Sequence, residues 1–289
     1  MPAVPDRRLL FSSVFVQIPN GSIHAFQGQT TSAQIASKLN DGLASRVVAA
    51  EINGKVVDAF RPLGELADAA AELIHVSKSD NQSGGDGSSN EKPLLLRLLT
   101  DEDEEALDVL RRSAAHVVSR AVMRIFADAL LVAISMTHEG FYCDIDLDTS
   151  ISEEDFSRIE SELQTIIALG ERFERIELER DEARRLCDGL GQDFKVELID
   201  TELANRASVC FYRHGEFVEL CDGPHLTNTG KIGSIQLLHV AASPGESGND
   251  TGPLQRLSGR VCFADSEEAG LIRSQNRISR PKRRVASSD

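Results

Sequence analysis

Tryptophan is absent from this sequence, tyrosine occurs twice, and aromatic residues make up only 5% of its 289 residues. We therefore expect cores built from aliphatic side chains, which an apolar content of 41% allows in a chain of this length. The sequence also has no run that approaches the roughly 20 apolar residues of a membrane span. Residues 1–8 lack the apolar segment and cleavage site of a secretory signal, so we expect neither membrane association nor export.

Paired cysteines are missing as well. The five cysteines stand at positions 143, 187, 210, 221 and 262, and no two of them form a Cys-x-x-Cys pair. An odd number of scattered cysteines without an export signal indicates reduced thiols. We therefore expect a cytoplasmic protein without a disulfide framework.

Positive charge is scarce, because 31 Lys and Arg residues stand against 46 Asp and Glu residues and give a net charge of −15. Such a chain is a poor non-specific binder of nucleic acid, since attraction to phosphate needs local positive charge. The exception is 271–289, where six basic residues and one acid give a local charge of +5 and leave −20 for the remainder. This segment is predicted to be either a disordered tail or a site for anions.

The first 76 residues follow the pattern of a small α+β module. Two short apolar runs flank Pro19-Asn20-Gly21, which predicts a hairpin over 14–26. Residues 30–32 offer N-caps for a helix, and 47–57 predict a second hairpin about Asn53-Gly54. Hairpin, helix and hairpin in this order indicate a β-grasp-like domain over 1–76.

The second half is predicted to be a larger α+β domain. Residues 77–92 contain no apolar side chain, which predicts a flexible linker. We place the second domain at 93–263, with a long helix over 101–127 packed on a mostly antiparallel sheet, and a helix with a basic tail at 264–289. Within it, 194–199 reads as a strand that points Lys195 to solvent.

Side chains that could carry chemistry concentrate in two places. On the long helix, Arg112 and His116 are four residues apart and therefore share a face, and Ser113 can lie on the same side. Farther on, Gly223-Pro224 predicts a turn that would bring Cys221 and His225 together. Cysteine and histidine serve either as metal ligands or as nucleophile and base.

Three interpretations of these residues stay open at this point: a nucleophile with its base, a metal site, and side chains with only a structural role. His116, Cys221 and His225 with one water would match a catalytic zinc site, but Arg112 stays protonated and cannot be a fourth ligand, so we expect no cofactor and keep zinc as the alternative. In the plainest reading, Cys221 is a core thiol and the histidines are satisfied structural groups. The remaining histidines, His214 among them, have no partner by spacing.

Taken in order, several segments resemble the N-terminal half of bacterial threonyl-tRNA synthetases. The residues before the linker resemble the TGS module of that family, and 107–117 resembles the helix that bears its HxxxH motif. The most diagnostic match is 211–225, which contains the CxGPH run. The remaining matches are 139–146, 151–155, 194–199, 229–232 and 254–259, so that the resemblance covers about 14–263.

The resemblance implies an editing domain that hydrolyses serine wrongly esterified to threonine tRNA. The catalytic positions it implies are His116, Lys195, Cys221 and His225. The substrate-binding positions it implies are Arg112, Ser113, Glu219, Asp222 and Gly223. Such a site would use His or Cys to orient water, Lys195 or backbone donors to stabilise the oxyanion, and a small pocket to select the amino acid.

Two departures from the family pattern matter. Arg112 stands where the family has the first histidine of HxxxH, and arginine can bind a phosphate or a carbonyl oxygen but cannot act as a base. The class II aminoacylation signatures and an anticodon-binding domain are also missing from the 289 residues, so we do not expect ATP-dependent charging of tRNA.

The sequence therefore supports two functions from different classes. One is a freestanding hydrolase of mischarged Ser-tRNA(Thr). The other is a non-catalytic paralogue that binds a tRNA end, a synthetase or the ribosome. A gene fragment without an independent role is the third reading.

Overall fold

The computed structural model describes residues 13–78, 92–243, 254–264, 266 and 272. It divides into two compact units. The first consists of the chain up to Val109 together with Pro224–Thr227, and the second of Leu110–Gly223 and the chain from Asn228 onward. Of the predicted linker at 77–92, residues 79–91 lie outside the described residues, as does most of the predicted helix and tail at 264–289.

The first unit is built on a five-stranded sheet in the order β2-β1-β5-β3-β4. Its strands are β1 (Ser13–Gln17), β2 (Ile23–Gln27), β3 (Val47–Ile52), β4 (Lys55–Asp58) and β5 (Leu94–Thr100). Its helices are α1 (Ser32–Leu39), α2 (Asp41–Arg46) and α3 (Leu63–Lys78). Val16, Ile35, Leu63 and Leu96 are among the aliphatic side chains of its core. The predicted β-grasp-like module is confirmed.

Local sequence signals explain this unit well. Asn53 and Gly54 both adopt a positive φ, 51° and 82°, as a two-residue hairpin turn between β3 and β4 requires. Thr31 caps α1 in a capping box with Gln34. The structure differs from expectation after α1, because Asn40 caps a further short helix through a hydrogen bond from the Gly42 N–H.

Residues 94–100, which we placed in the second domain, form β5 of the first unit. β5 pairs in parallel with β1 and antiparallel with β3, so it lies inside the sheet. Leu94, Leu96 and Leu99 are buried there, which accounts for a run of leucines that has no clear alternation in the sequence.

The second unit combines antiparallel sheets with helices, so the predicted α+β class is confirmed. A three-stranded sheet has the order β10-β9-β8, and a four-stranded sheet has the order β11-β12-β7-β6. The strands are β6 (Leu130–Met136), β7 (Phe141–Asp146), β8 (Glu174–Glu179), β9 (Ser208–His214), β10 (Phe217–Leu220), β11 (Ile232–Ala242) and β12 (Gln255–Phe263). The helices are α4 (Glu104–Ile125), which begins in the first unit, α5 (Glu153–Leu169), α6 (Arg180–Gly189) and α7 (Asp193–Asp200).

The predicted strand at 194–199 is wrong, because these residues form α7. Phe194, Val196 and Leu198 alternate as a strand would, yet Lys195 and Ile199 are the residues that α7 buries. Those two are four apart and share a helix face, so burial follows the helical period. None of the helices in the described part of the chain is long and apolar enough to cross a membrane.

Gly259 marks a close approach between β12 and its neighbours, and its replacement tests the packing of the four-stranded sheet. A Cβ at Gly259 would lie 2.7 Å from Cζ of the buried Phe141 ring and 3.2 Å from the Gln236 carbonyl oxygen. We expect Gly259→Ala to lower the free energy of unfolding by about 1–3 kcal/mol, as overpacking does. Urea denaturation measures this. Gly189→Ala is the matched control, because a Cβ there meets no atom within 4 Å; equal stabilities for the two variants would contradict the prediction.

Candidate functional site

Helix α4 supplies the first group of candidate residues. Its apolar positions, including Leu110, Ala114 and Val117, are fully buried, and this packing fixes the rotation of the helix. Ser113 and His116 are buried on it, whereas Arg112 is half-buried. The structure thus places all three predicted α4 residues in the second unit, and only Arg112 retains substantial access to solvent.

The end of β10 supplies the second group. Cys221 extends the β9–β10 ladder, since its N–H donates to the Cys210 carbonyl oxygen at 3.0 Å. The chain then turns at Gly223, whose φ is 72° and whose N–H donates to Cys221 Sγ at 3.3 Å. A side chain at Gly223 would collide with Tyr212, because a Cβ would lie 2.1 Å from the phenol oxygen. The turn therefore holds the Cys221 sulfur in one place.

These two groups meet within the second unit. The Cys221 sulfur and a ring nitrogen of His116 lie within 4.8 Å of each other. Arg112 is near enough to both for its positive charge to lower their pKa values. The structure therefore brings Arg112, His116 and Cys221 into one cluster.

Burial sets the protonation states of this cluster. Burial lowers the pKa of His116 well below its ordinary value, and His214, Lys195 and Arg112 lower it further. Burial raises the pKa of the Cys221 thiol to about 11, against the smaller opposing effects of the Gly223 N–H and Arg112. At neutral pH the site therefore holds a neutral imidazole and a protonated thiol, which suits a general base and a hydrogen-bond donor rather than a thiolate nucleophile.

Lys195 does not point to solvent as the strand prediction required. It lies on α7, its Nζ is 2.7 Å from Glu219 Oε1, and it donates to the Val132 carbonyl oxygen at 3.0 Å. Both charged side chains are almost completely buried. Burial raises the pKa of Glu219, while the adjacent Lys195 charge opposes that rise. Residue spacing does not predict this pairing, because Lys195 lies on α7 and Glu219 on β10.

The two remaining predicted residues, Asp222 and His225, have hydrogen-bond or ion-pair partners of their own. Asp222 is exposed and forms an ion pair with Arg206 at 2.9 Å. His225 is buried and belongs to the first unit, where its N–H donates to Asp58 Oδ1 at 2.7 Å. Asp58 was not among the predicted residues; it is a buried acid at the end of β4, and its hydrogen bond anchors 224–227 within that unit.

His214 is a site residue that spacing did not reveal. Its ring centroid lies 6.4 Å from that of His116, and Phe217 packs against both rings at 5.2 and 5.8 Å. Burial and the Arg120 charge lower the pKa of His214 to about 3, so the ring stays neutral. The pairing of His214 with Phe217 across the β9–β10 hairpin was the signal that could have identified it.

Comparison with known proteins matches both units. Residues 14–65 match the TGS domain, and residues 209–258 match the threonyl and alanyl tRNA synthetase second additional domain. The threonine–tRNA ligase of Rhodopirellula baltica is 44% identical over 95% of this chain, and that of Clostridioides difficile is 34% identical over 84%. The chain spans about a third of the length of these curated relatives, 34% in both cases.

The Lys195–Glu219 pair predicts a pH-dependent loss of stability. Lys195→Met leaves Glu219 buried without its cation, so we expect a loss of about 3–5 kcal/mol at neutral pH. Without Lys195 the already raised pKa of Glu219 rises further. Because the folded state then holds the proton more tightly than the unfolded state, stability is retained below the ordinary value of 4.5 and declines as pH rises through the folded-state pKa.

Urea denaturation between pH 4 and pH 8 measures this slope. The control is the double variant Lys195→Met/Glu219→Gln, which removes the titrating group and should recover most of the loss at neutral pH. An equal loss at both ends of the pH range would show that Lys195 acts through packing alone.

Proposed function

Because this chain carries a TGS domain and the second additional domain of threonyl and alanyl tRNA synthetases, we propose that it hydrolyses the ester bond of a mischarged tRNA. The chain resembles the TGS and editing region of threonyl-tRNA synthetases, and its role is tRNA-related. We propose Ser-tRNA(Thr) as the substrate and the cytoplasm as the location. A full-length synthetase or the ribosome is a proposed partner that would supply further contacts to tRNA.

The observation that carries this proposal is the neutral His116 beside the protonated Cys221. Hydrolysis of an ester needs a base that accepts a proton from water and a donor that orients the water or the carbonyl oxygen. A neutral imidazole supplies the first function and a thiol supplies the second. The buried surroundings strengthen both hydrogen bonds, because little water competes for them.

Lys195 has a different role from the one that the family resemblance implies. Its ammonium group is committed to Glu219 and to the Val132 carbonyl oxygen. We propose that it contributes fixed positive charge near His116 and does not donate to the oxyanion directly. Its charge keeps the imidazole neutral, which is the form a general base needs.

Arg112 is the proposed contact to the substrate. A guanidinium stays protonated and only donates, so it binds a phosphodiester or a carbonyl oxygen of the tRNA end. Its half-buried position beside His116 and Cys221 allows it to face both the site and solvent. This would align the ester with the proposed base.

A binding module without catalysis is the second candidate. The observation in its favour is the pKa of His116, which burial lowers well below its ordinary value, because an imidazole of low pKa is a weak base. In that case the same Arg112 contact would hold a tRNA end that the protein does not cleave. Zinc, which the sequence analysis kept as an alternative, is a third proposal, and it requires that the metal displace the thiol proton.

Deacylation of Ser-tRNA(Thr) by the purified protein distinguishes these functions. We expect hydrolysis faster than in buffer, with kcat reduced at least about 100-fold in His116→Ala and in Cys221→Ala. His225→Ala tests whether His225, which the family resemblance also implies as a catalytic position, contributes to kcat. His239→Ala is the matched control, because it removes an exposed imidazole on β11. If a chelator abolishes the activity and added zinc restores it, the zinc proposal is supported. If the protein binds tRNA but the ester is hydrolysed no faster than in buffer, the protein is a binding module and not a hydrolase.

Arg112→Ala separates substrate binding from chemistry. Loss of a charge-assisted contact to the tRNA end should raise KM about 10- to 100-fold, since such a hydrogen bond contributes about 1.5–3 kcal/mol. We expect kcat to change by less than about 3-fold, and Arg112→Lys to recover part of the loss in KM. A large fall in kcat at unchanged KM would instead place Arg112 in the chemical step.

A further inference from the structure

Arg120 is a buried cation that the proposed chemistry does not use. Its side chain is only 2% exposed, although it belongs to the most strongly hydrated class of residues. It stands four residues after His116 on α4, and therefore on the same face of the helix. A buried charge is stable only when several hydrogen-bonding or oppositely charged groups surround it. The partners of Arg120 therefore indicate its role.

One guanidinium joins three separate parts of the second unit. Its Nε and Nη2 donate to the two carboxylate oxygens of Glu216, in the turn between β9 and β10, with the Nε bond at 3.0 Å. Its Nη1 donates to Glu171, which precedes β8, and to His214 Nδ1 at 3.1 Å. The planar fork of arginine is the only protein cation with enough fixed donors for such a set.

The contact with His214 determines the tautomer of that ring. A guanidinium has no lone pair to offer, so His214 Nδ1 must accept and the ring proton must be on Nε2. His214 in turn packs against His116, and Phe217 lies against both rings. The guanidinium of Arg120 is therefore linked to the imidazole of His116 through one oriented ring.

The same contacts fix α4 against the β9–β10 hairpin. Glu216 directly precedes β10 and Cys221 directly follows it, so the four residues of this short strand link the two. Gly215 shows how close the contact is, because its φ is 58° and a Cβ there would lie 2.3 Å from Arg120 Nη2. The position of His116 relative to Cys221 thus depends on the Arg120 contacts.

We propose that Arg120 is a positioning residue, which holds His116 in register with Cys221 by bonding the β9–β10 turn and orienting His214. The proposal rests on the proposed hydrolytic function, and it extends that function to a residue outside the reacting cluster. Arg120 itself touches neither the substrate nor the reacting atoms in this scheme.

Arg124 provides a matched control one helical turn farther on. It donates to the same Glu216 and to Glu162, both at 2.6 Å, but its side chain is 34% exposed, and it acts on His214 through its charge and not through a hydrogen bond. Arg120→Lys and Arg124→Lys therefore make the same chemical change on one helix, and only the first removes the bond to His214.

The first test is steady-state deacylation of Ser-tRNA(Thr) by the full chain. We expect Arg120→Lys to lower kcat about 100-fold, as small misplacement of a catalytic group does, with KM within about 3-fold of the parent. Arg124→Lys should stay within about 3-fold in both constants. Circular dichroism verifies that each variant is folded. A kcat for Arg120→Lys within 3-fold of the parent would overturn the proposal.

The second test does not need an active enzyme, so it separates failure of this proposal from failure of the proposed function. Nitrogen-15 NMR of the histidine rings, with His214→Gln for assignment, reads the tautomer of His214. We expect the Nε2–H form in the parent and in Arg124→Lys, and a mixture of tautomers in Arg120→Lys. If the parent is inactive, an unchanged tautomer in Arg120→Lys overturns the proposal, and a changed one supports it.

Discussion

Buried charge is the constraint on which the second unit depends. Lys195 and Arg120 lie almost wholly inside the protein, and neither can remain there unless acids approach from other elements. Lys195 ties α7 to β10 and to β6 through Glu219 and the Val132 carbonyl oxygen. Arg120 ties α4 to the β9–β10 turn. Both sets of contacts converge on β10 and on the turn that precedes it. The position of this strand, which Cys221 directly follows, therefore depends on buried ion pairs as well as on aliphatic packing.

The same desolvation determines what the cluster can do. It keeps His116 neutral and Cys221 protonated, and the positive charges nearby favour the neutral imidazole further. These states suit activation of a water molecule and are poor for attack by sulfur. A site that relied on the thiolate would need a partner that lowers the thiol pKa, and Arg112 opposes the effect of burial only in part. This environment therefore disfavours a covalent intermediate on Cys221.

Sequence reasoning predicted most elements because their signals are local. The Asn53-Gly54 turn and the acid-rich start of α4 specify structure within a few residues. The same reasoning failed at α7, because its alternating apolar residues indicate a strand, whereas its buried face consists of Lys195 and Ile199. It also missed Arg120 and His214, since their partners are up to 96 residues away in the chain. Spacing along the chain could have paired His214 with Phe217 across the hairpin, but the contacts of Arg120 with Glu216 and His214 depend on the tertiary fold.

The charge of the cluster differs from the charge of the whole chain, and the difference bears on how tRNA would reach it. The guanidinium of Arg112 and the Lys195–Glu219 pair, which is neutral as a unit, belong to a chain whose net charge is −15. A chain of this charge repels phosphate at long range. Added salt screens the long-range repulsion more than the short contact, because the Debye length is about 8 Å at physiological ionic strength. Under the proposed function, added salt would therefore weaken the repulsion of tRNA more than the short contact that Arg112 makes with its end.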